Sequence, residues 1–164
     1  MLVLGIDPGT ATTGFGLVEE TGDNELKVVD FGVILTKPSD PQEQRLKQIY
    51  QAVKDLMLLH HPDSGAVEKL FFQKNVTNAL AVGQARGVIL LAFAEEEIPF
   101  AEYSPQDVKI SVTGYGAAEK RQVQLMVQSL LDLKDLPKPD DAADALAIAI
   151  CHLHNSKYRS LLAE

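Results

Sequence analysis

Residues 2–6, Leu-Val-Leu-Gly-Ile, are an apolar run stopped by Asp7-Pro8-Gly9. A run this short, cut by turn-forming residues, reads as a buried strand entering a turn, so the chain must be built around a sheet. Two further runs, Phe15 to Val18 and Leu26 to Leu35, flank Thr21-Gly22-Asp23-Asn24, a hairpin signal. Three antiparallel strands are expected. The period then changes: Leu46, Ile49, Val53, Leu56 and Met57 recur at helical spacing within residues 41–60, with Pro41 near the start. Ala66 to Phe72 is strand-like, Val76 to Glu97 helical, and Pro99 to Tyr103 a short strand before Ser104-Pro105 opens another helix. Helices at about 119–131 and 139–154 complete the order. It predicts an α/β fold, a mixed five-stranded sheet flanked by helices, with functional residues gathering at the carboxyl ends of the strands.

With 164 residues the chain suffices for one well-buried domain and is too short for two of ordinary size. Residues 1–155 read as that domain and 156–164 as a short C-terminal tail. The first apolar run breaks at Asp7 and has no basic flank, which excludes a signal peptide, and the longest apolar stretch, Gly87 to Ala94, is too short to cross a bilayer. A single cysteine, Cys151, excludes an internal disulfide framework and fits a reducing compartment. A cytoplasmic protein is expected.

Fifteen basic against 23 acidic residues give a net charge of −8, opposite in sign to that of most nucleic-acid binders. The charges are unevenly spread. Lys69 to Ala94 holds Lys69, Lys74 and Arg86 and no acid, and between Val108 and Leu131 the cations Lys109, Lys120 and Arg121 face only Glu119. A locally basic groove on an acidic protein is therefore feasible.

The acids that could carry chemistry are few. Asp7 follows a buried strand, so its carboxylate should emerge at the strand end, although Asp7-Pro8-Gly9-Thr10 reads equally well as a plain turn. Glu68, between Val67 and Leu70, must face solvent or be held by a partner, and solvent is the simpler reading for a lone strand residue. Asp141 and Asp144 lie three positions apart, on one face of an alanine-rich helix that Asp140 could cap. A favourable helix dipole explains Asp141; it explains Asp144 less well, because Ala142, Ala143, Ala145 and Ala147 imply burial around it. Four acids without a Cys/His cluster suit hard cations, and two such ions about 4 Å apart could activate a water and stabilise the leaving oxygen of a phosphodiester. They would also offset four of the eight excess negative charges. His60, His61, His152 and His154 read as surface or packing residues.

Gly5-Ile6-Asp7-Pro8-Gly9-Thr10, Thr13-Gly14-Phe15-Gly16, Glu68 with Phe71-Phe72, Lys74-Asn75, Gly83-Gln84-Ala85-Arg86-Gly87, Gly114-Tyr115-Gly116 with Glu119-Lys120, and Asp141-Ala142-Ala143-Asp144-Ala145-Leu146-Ala147 stand in one order along the chain. This ordered set resembles the RuvC family of Holliday-junction resolvases from residue 4 to about residue 154. The resemblance implies a ribonuclease-H-like fold, a homodimer, and paired cuts in strands of like polarity across a four-way junction. It also implies cooperation with a branch-migration complex of the RuvA and RuvB type. It places the metal-binding and catalytic acids at Asp7, Glu68, Asp141 and Asp144, with two Mg²⁺ per site and Mn²⁺ as a substitute. DNA-contacting positions fall on Lys109 and Lys120, and on Phe71 as an aromatic that stacks on a base near the junction centre; Lys74 joins them from the acid-free stretch. Core packing is the plainer reading of Phe71, but adjacent strand residues point to opposite sides, so one of Phe71 and Phe72 is left to stack. The chain departs from the family in its acidity and in a tail with only Lys157 and Arg159.

Two other classes compete. The Gly5-x-Asp7-x-Gly9-Thr10 turn followed by Thr13-Gly14 also resembles the phosphate hairpin of sugar-kinase or actin-like ATPases, which need two related domains where this length provides one. A catalytically idle junction-binding module would not need all four acids. Ala79, Gly83 and Gly87, four residues apart, form a smooth ridge along which a second copy's helix could approach, flanked by Val76 and Leu80; packing on the chain's own sheet is the competing use of that ridge.

Overall fold

Strand β1 (Leu2–Asp7) sends alternate side chains into two separate cores: Val3 to one side, Leu4 and Ile6 to the other. It is the middle of a five-stranded sheet in the order β3-β2-β1-β4-β5. The computed structural model describes residues 1–69 and 76–162, with side chains described to residue 69 and again from 79 to 156. β2 (Thr12–Glu20) and β3 (Leu26–Leu35) are antiparallel neighbours, joined by a turn in which Asn24 takes a positive φ. After helix α1 (Gln42–His60), β4 (Ser64–Glu68) pairs parallel to β1. Helix α2 (Val76–Glu95) then leads to β5 (Phe100–Tyr103), parallel to β4. Three helices follow: α3 (Pro105–Thr113), α4 (Lys120–Leu130) and α5 (Asp140–Leu162). The expected element order and the mixed five-stranded sheet are thus present.

α1 and α2 cover one face, where Ile49, Val53, Met57, Ile89 and Phe93 are buried against Leu4, Ile6 and Leu17. α5 covers the other with Leu146, Ile148 and Ile150, and α3 and α4 close around it through Val108, Val112, Val123 and Val127. Both faces of β1 are therefore dry, which is why its sequence is apolar without alternation. α3 starts where expected. Ser104 Oγ accepts from Asp107 N at 3.1 Å, Asp107 Oδ2 accepts from Ser104 N at 2.9 Å, and Pro105 fills the first helical position.

α5 rests on the sheet through glycines. Gly5 and Gly16 face each other across β1 and β2, and Gly14 pairs with Asp7. A Cβ on Gly5 would fall on Ala145 O and stand 2.7 Å from Ala149 N; one on Gly16 would stand 2.8 Å from Leu146 N; one on Gly14 would fall on Asp141 O. The helix backbone thus lies on the strand backbone with no side chain between them.

Three boundaries differ from the sequence reading. β4 ends at Glu68, whereas the strand was expected to reach Phe72, and residues 70–75 lie outside the described ones. The last helix, expected to end near residue 154, continues to Leu162, because no proline or glycine between Asp140 and Leu162 stops it. Asp140 does not cap this helix. Pro139 O already accepts from Ala142 N at 3.0 Å, which makes Asp140 the first helical residue, and its carboxylate instead accepts from Gln124 Nε2 at 3.0 Å.

Among the histidines, His152 is a packing residue, as expected. Ser64 Oγ gives its proton to Pro99 O at 3.0 Å, so it accepts from His152 Nε2 at 2.9 Å, while His152 Nδ1 lies 3.0 Å from Tyr103 Oη.

Gly5→Ala is expected to lower unfolding free energy by about 1–3 kcal/mol, because the new methyl overlaps helix backbone that cannot swing aside. Gly22→Ala, which meets nothing within 4 Å, is the control. Urea denaturation of the two variants checks this, and equal midpoints would contradict the close approach.

Candidate active site

Asp7 and Glu68 end two adjacent parallel strands, with Ile6 opposite Val67 in the register. The strand ends set the two carboxylates side by side, close enough for a hydrogen bond between them. The seating of Asp141 O over Gly14, the cross-strand partner of Asp7, brings the start of α5 to the same place. Asp141 and Asp144 follow one another on the helix face there, each half-buried. All four sequence-predicted acids are therefore gathered at one end of the sheet.

Their electrostatics record this crowding. Asp7 is pushed up to about 8, first by burial and then by the negative charges of Glu68, Asp144 and Asp141, with Lys120 partly offsetting them. Glu68 is raised by burial and by Asp144, against its hydrogen bond with Asp7 and the charge of Lys120. Asp144 is raised by burial, which outweighs its hydrogen bond with Lys120. The Lys120 ammonium stands 2.9 Å from Asp144 Oδ2 and 3.4 Å from Asp140 Oδ2. Burial works against its charge, but these carboxylates outweigh burial and hold it protonated.

Lys120 was expected as a DNA-contacting residue and is placed among the acids themselves. Lys109, the other expected cation, lines a cavity of about 270 Å³ together with Glu68, Lys120 and Asp144. Phe71, Phe72 and Lys74 lie outside the described residues. Arg86 does not supply a free charge to a DNA groove, because its guanidinium pairs with Glu102. The ridge on α2 is displaced from the one expected. Leu80, Gln84, Gly87, Leu91 and Ala94 form its exposed stripe, whereas Ala79 and Gly83 are half-buried.

The donor set is all oxygen, carries up to four negative charges and is partly shielded from water, which fits a hard divalent cation in chemistry and charge. Among the described residues no three His, Cys, Asp or Glu side chains converge closely enough to enclose an ion. Lys120 supplies the positive charge beside Asp144.

A family model described as Crossover junction endodeoxyribonuclease RuvC matches residues 3–152, a span that includes all four acids. The chain belongs to the RuvC family. A RuvC protein of Desulforamulus reducens is 55% identical over 152 residues, covering 93% of each chain. One of Syntrophomonas wolfei is 52% identical over 162 residues, covering 99% of this chain and 94% of the relative. The structure of Thermus thermophilus RuvC in complex with a Holliday junction substrate superposes with a TM-score of 0.92 at 37% identity, over 96% of both chains. The ribonuclease-H-like architecture expected from the sequence is therefore that of RuvC structures.

The glycines under α5 appeared in the sequence only as motif letters, and their role needed the register of β1 and β2 to become visible. Arg45, which borders a second cavity with Gly9 and Asp141, was not singled out at all. An arginine on an amphipathic helix carries the same signal as any solvated cation.

The raised Asp7 sets a pH dependence for the protein in chelator. Below the ordinary carboxylate range, near 3.9, both folded and unfolded chains hold the proton. As pH rises towards about 8 the unfolded chain releases it while the folded chain keeps it, so stability is lost across that window. Asp7→Asn removes this loss. It is expected to melt several degrees above the wild type near pH 8 in chelator, a gain on the order of 2 kcal/mol. Thermal unfolding followed by circular dichroism at about pH 5 and about pH 8 checks the sign, and an Asn variant less stable at the higher pH would refute it.

Proposed function

We propose that the protein is a structure-specific endonuclease that resolves four-way DNA junctions by paired, metal-dependent hydrolytic cuts in strands of like polarity, in DNA recombination and repair. The observation that carries the proposal is the gathering of Asp7, Glu68, Asp141 and Asp144 at one sheet end of a RuvC-family chain. The relative with 0.92 TM-score was solved with a Holliday junction substrate, which supports the choice of substrate.

In this reading the four carboxylates would hold two Mg²⁺ ions, with Mn²⁺ as a substitute, which would supply activation of a water and neutralisation of charge on the leaving oxygen. The chain's own residues do the rest. Asp7 and Glu68, at the ends of paired strands, and Asp141 and Asp144, on the seated helix, would be the residues that hold the ions, drawing closer together around them. Lys120, already held in the cluster, lies where it can exchange its contact with Asp144 for the phosphate being cut. Lys109, on the same cavity, takes a backbone phosphate, and Phe71 and Lys74 extend the contact to the junction centre.

Two equal cuts require two equal sites, which a two-fold homodimer supplies. The exposed stripe of α2 suits this, because Leu80 and Leu91 are 65% and 51% exposed and Gly87 between them meets nothing within 4 Å. A cytoplasmic location and a branch-migration complex of the RuvA and RuvB type complete the proposal. Among the described residues no helix is long and apolar enough to cross a membrane.

The decisive experiment is cleavage of a synthetic four-way junction with Mg²⁺ and without ATP. Asp7→Asn, Glu68→Gln, Asp141→Asn and Asp144→Asn are each expected to cut at least roughly a hundredfold more slowly while still binding the junction in a mobility-shift assay, since affinity rests on phosphate contacts elsewhere. Near-normal cutting by any two of the four would overturn the assignment. Gly87→Leu has room within one chain, so it is expected to fold normally yet sediment as a monomer and lose paired cutting. An unaltered dimer would move the interface off α2.

A further inference from the structure

The first turn of α1 carries Arg45, a cation that the acid cluster does not account for. Its Nε donates to Thr36 Oγ1 at 2.8 Å, and Thr36 Oγ1 donates in turn to Thr10 O at 2.6 Å. Thr10 and Thr36 are buried, and Thr10 Oγ1 ties this turn to α2 by donating to Ala81 O at 2.9 Å. The guanidinium is thus anchored along one edge to Thr36 and, through it, to the loop that follows Asp7. Among the described residues no carboxylate pairs with it. It borders an open cavity of about 450 Å³ lined by Gly9, Thr10, Arg45, Ala81, Val82 and Asp141.

This cavity and the one holding Lys109 and Lys120 lie on either side of the acids. Asp144 borders the lysine cavity and Asp141 borders the arginine cavity, three positions away on α5. The two acids therefore separate a basic group on one bank from a basic group on the other. A cation that served only solubility would be free to sample rotamers in water. Arg45 instead gives up that freedom to a buried threonine while its terminal nitrogens keep their donors, the arrangement that suits a phosphate better than a point-charge lysine would.

We propose that Arg45 is a phosphate clamp that holds a non-scissile backbone phosphate of the DNA strand lying across the acids, on the bank opposite Lys109 and Lys120. The proposal rests on the nuclease reading above and adds to it the path of the strand: out of the lysine cavity, over Asp144 and Asp141, and onto the turn that follows Asp7.

The test compares Arg45→Gln with Lys47→Gln, which removes the same charge from an exposed position on the same helix. Binding to a four-way junction is measured in chelator over a salt series, and cutting is measured with Mg²⁺. Arg45→Gln is expected to lower the slope of log affinity against log salt by about 0.9 and to slow cutting roughly tenfold or more, whereas Lys47→Gln leaves the slope at its wild-type value. A wild-type slope in Arg45→Gln overturns the clamp and leaves the nuclease reading standing; a wild-type protein that binds no junction overturns both. Should Arg45→Gln fail to fold, the wild-type protein answers instead. Junction DNA is expected to slow phenylglyoxal modification of Arg45 severalfold, read by mass spectrometry of the peptide, and an unchanged rate overturns the proposal.

Discussion

The backbone of α5 lies directly on the backbone of β1 and β2, with nothing but glycine between them at Gly5, Gly14 and Gly16. Close packing of this kind fixes the height of a helix above a sheet, because at Gly5 and Gly14 the nearest atoms are main chain that cannot change rotamer. The small residues that face it, Ala142, Ala145 and Ala149, are buried and add no bulk of their own. Everything further along α5 inherits that height. The two helical carboxylates reach the strand carboxylates because the helix sits this low. The larger Leu146, Ile148 and Ile150 then fill the space to either side, where α3 and α4 close the layer.

Bringing acids together in this way has an electrostatic cost that the fold partly offsets. Lys120 on α4 leans onto Asp144 and Asp140, and Gln124 one turn later also donates to Asp140. The net charge of −8 therefore says little about the field near the strand ends. Other charges are spent locally: Arg86 on Glu102, and Lys54 on Glu95 and Glu96. Arg45 and Lys109 border the two cavities beside the acids, where their charge bears on whatever lies there.

Much of this was legible in the sequence, for physical reasons that differ from element to element. The shift from period two to period 3.6 after Leu35 marked the crossover helix, and Ser104-Pro105 marked the start of α3, where the structure adds a capping box with Asp107. The far end of α5 was not legible, since its amphipathic pattern fades before any residue that would break a helix. Nor was the ridge on α2, because spacing alone gives the direction of a stripe and not which way the helix is rolled. The four acids were recognised from their order along the chain. Their shared site was expected with them, but the strand contact that sets Asp7 beside Glu68 was not, because the pairing of β1 with β4 joins segments about 60 residues apart and leaves no local trace. Arg45 was hidden for the opposite reason: everything around it in sequence is an ordinary helix, and its partner Thr36 lies in the preceding loop.

The placement of β1 in the middle of the sheet, with its partners drawn from the whole length of the chain, bears on how the molecule is made. Asp7 is made first, Glu68 follows 61 residues later, and Asp141 and Asp144 more than 70 residues after that. The face of the sheet that α5 covers stays bare until then, and contacts of such long range are also the slowest to form. A chain interrupted anywhere before Asp141 holds at most two of the four acids and lacks the helix that would position the rest. On the proposed reading, a fragment that stops before Asp141 is thus inert as a nuclease, because it lacks two of the four acids and the helix that seats them against the other two.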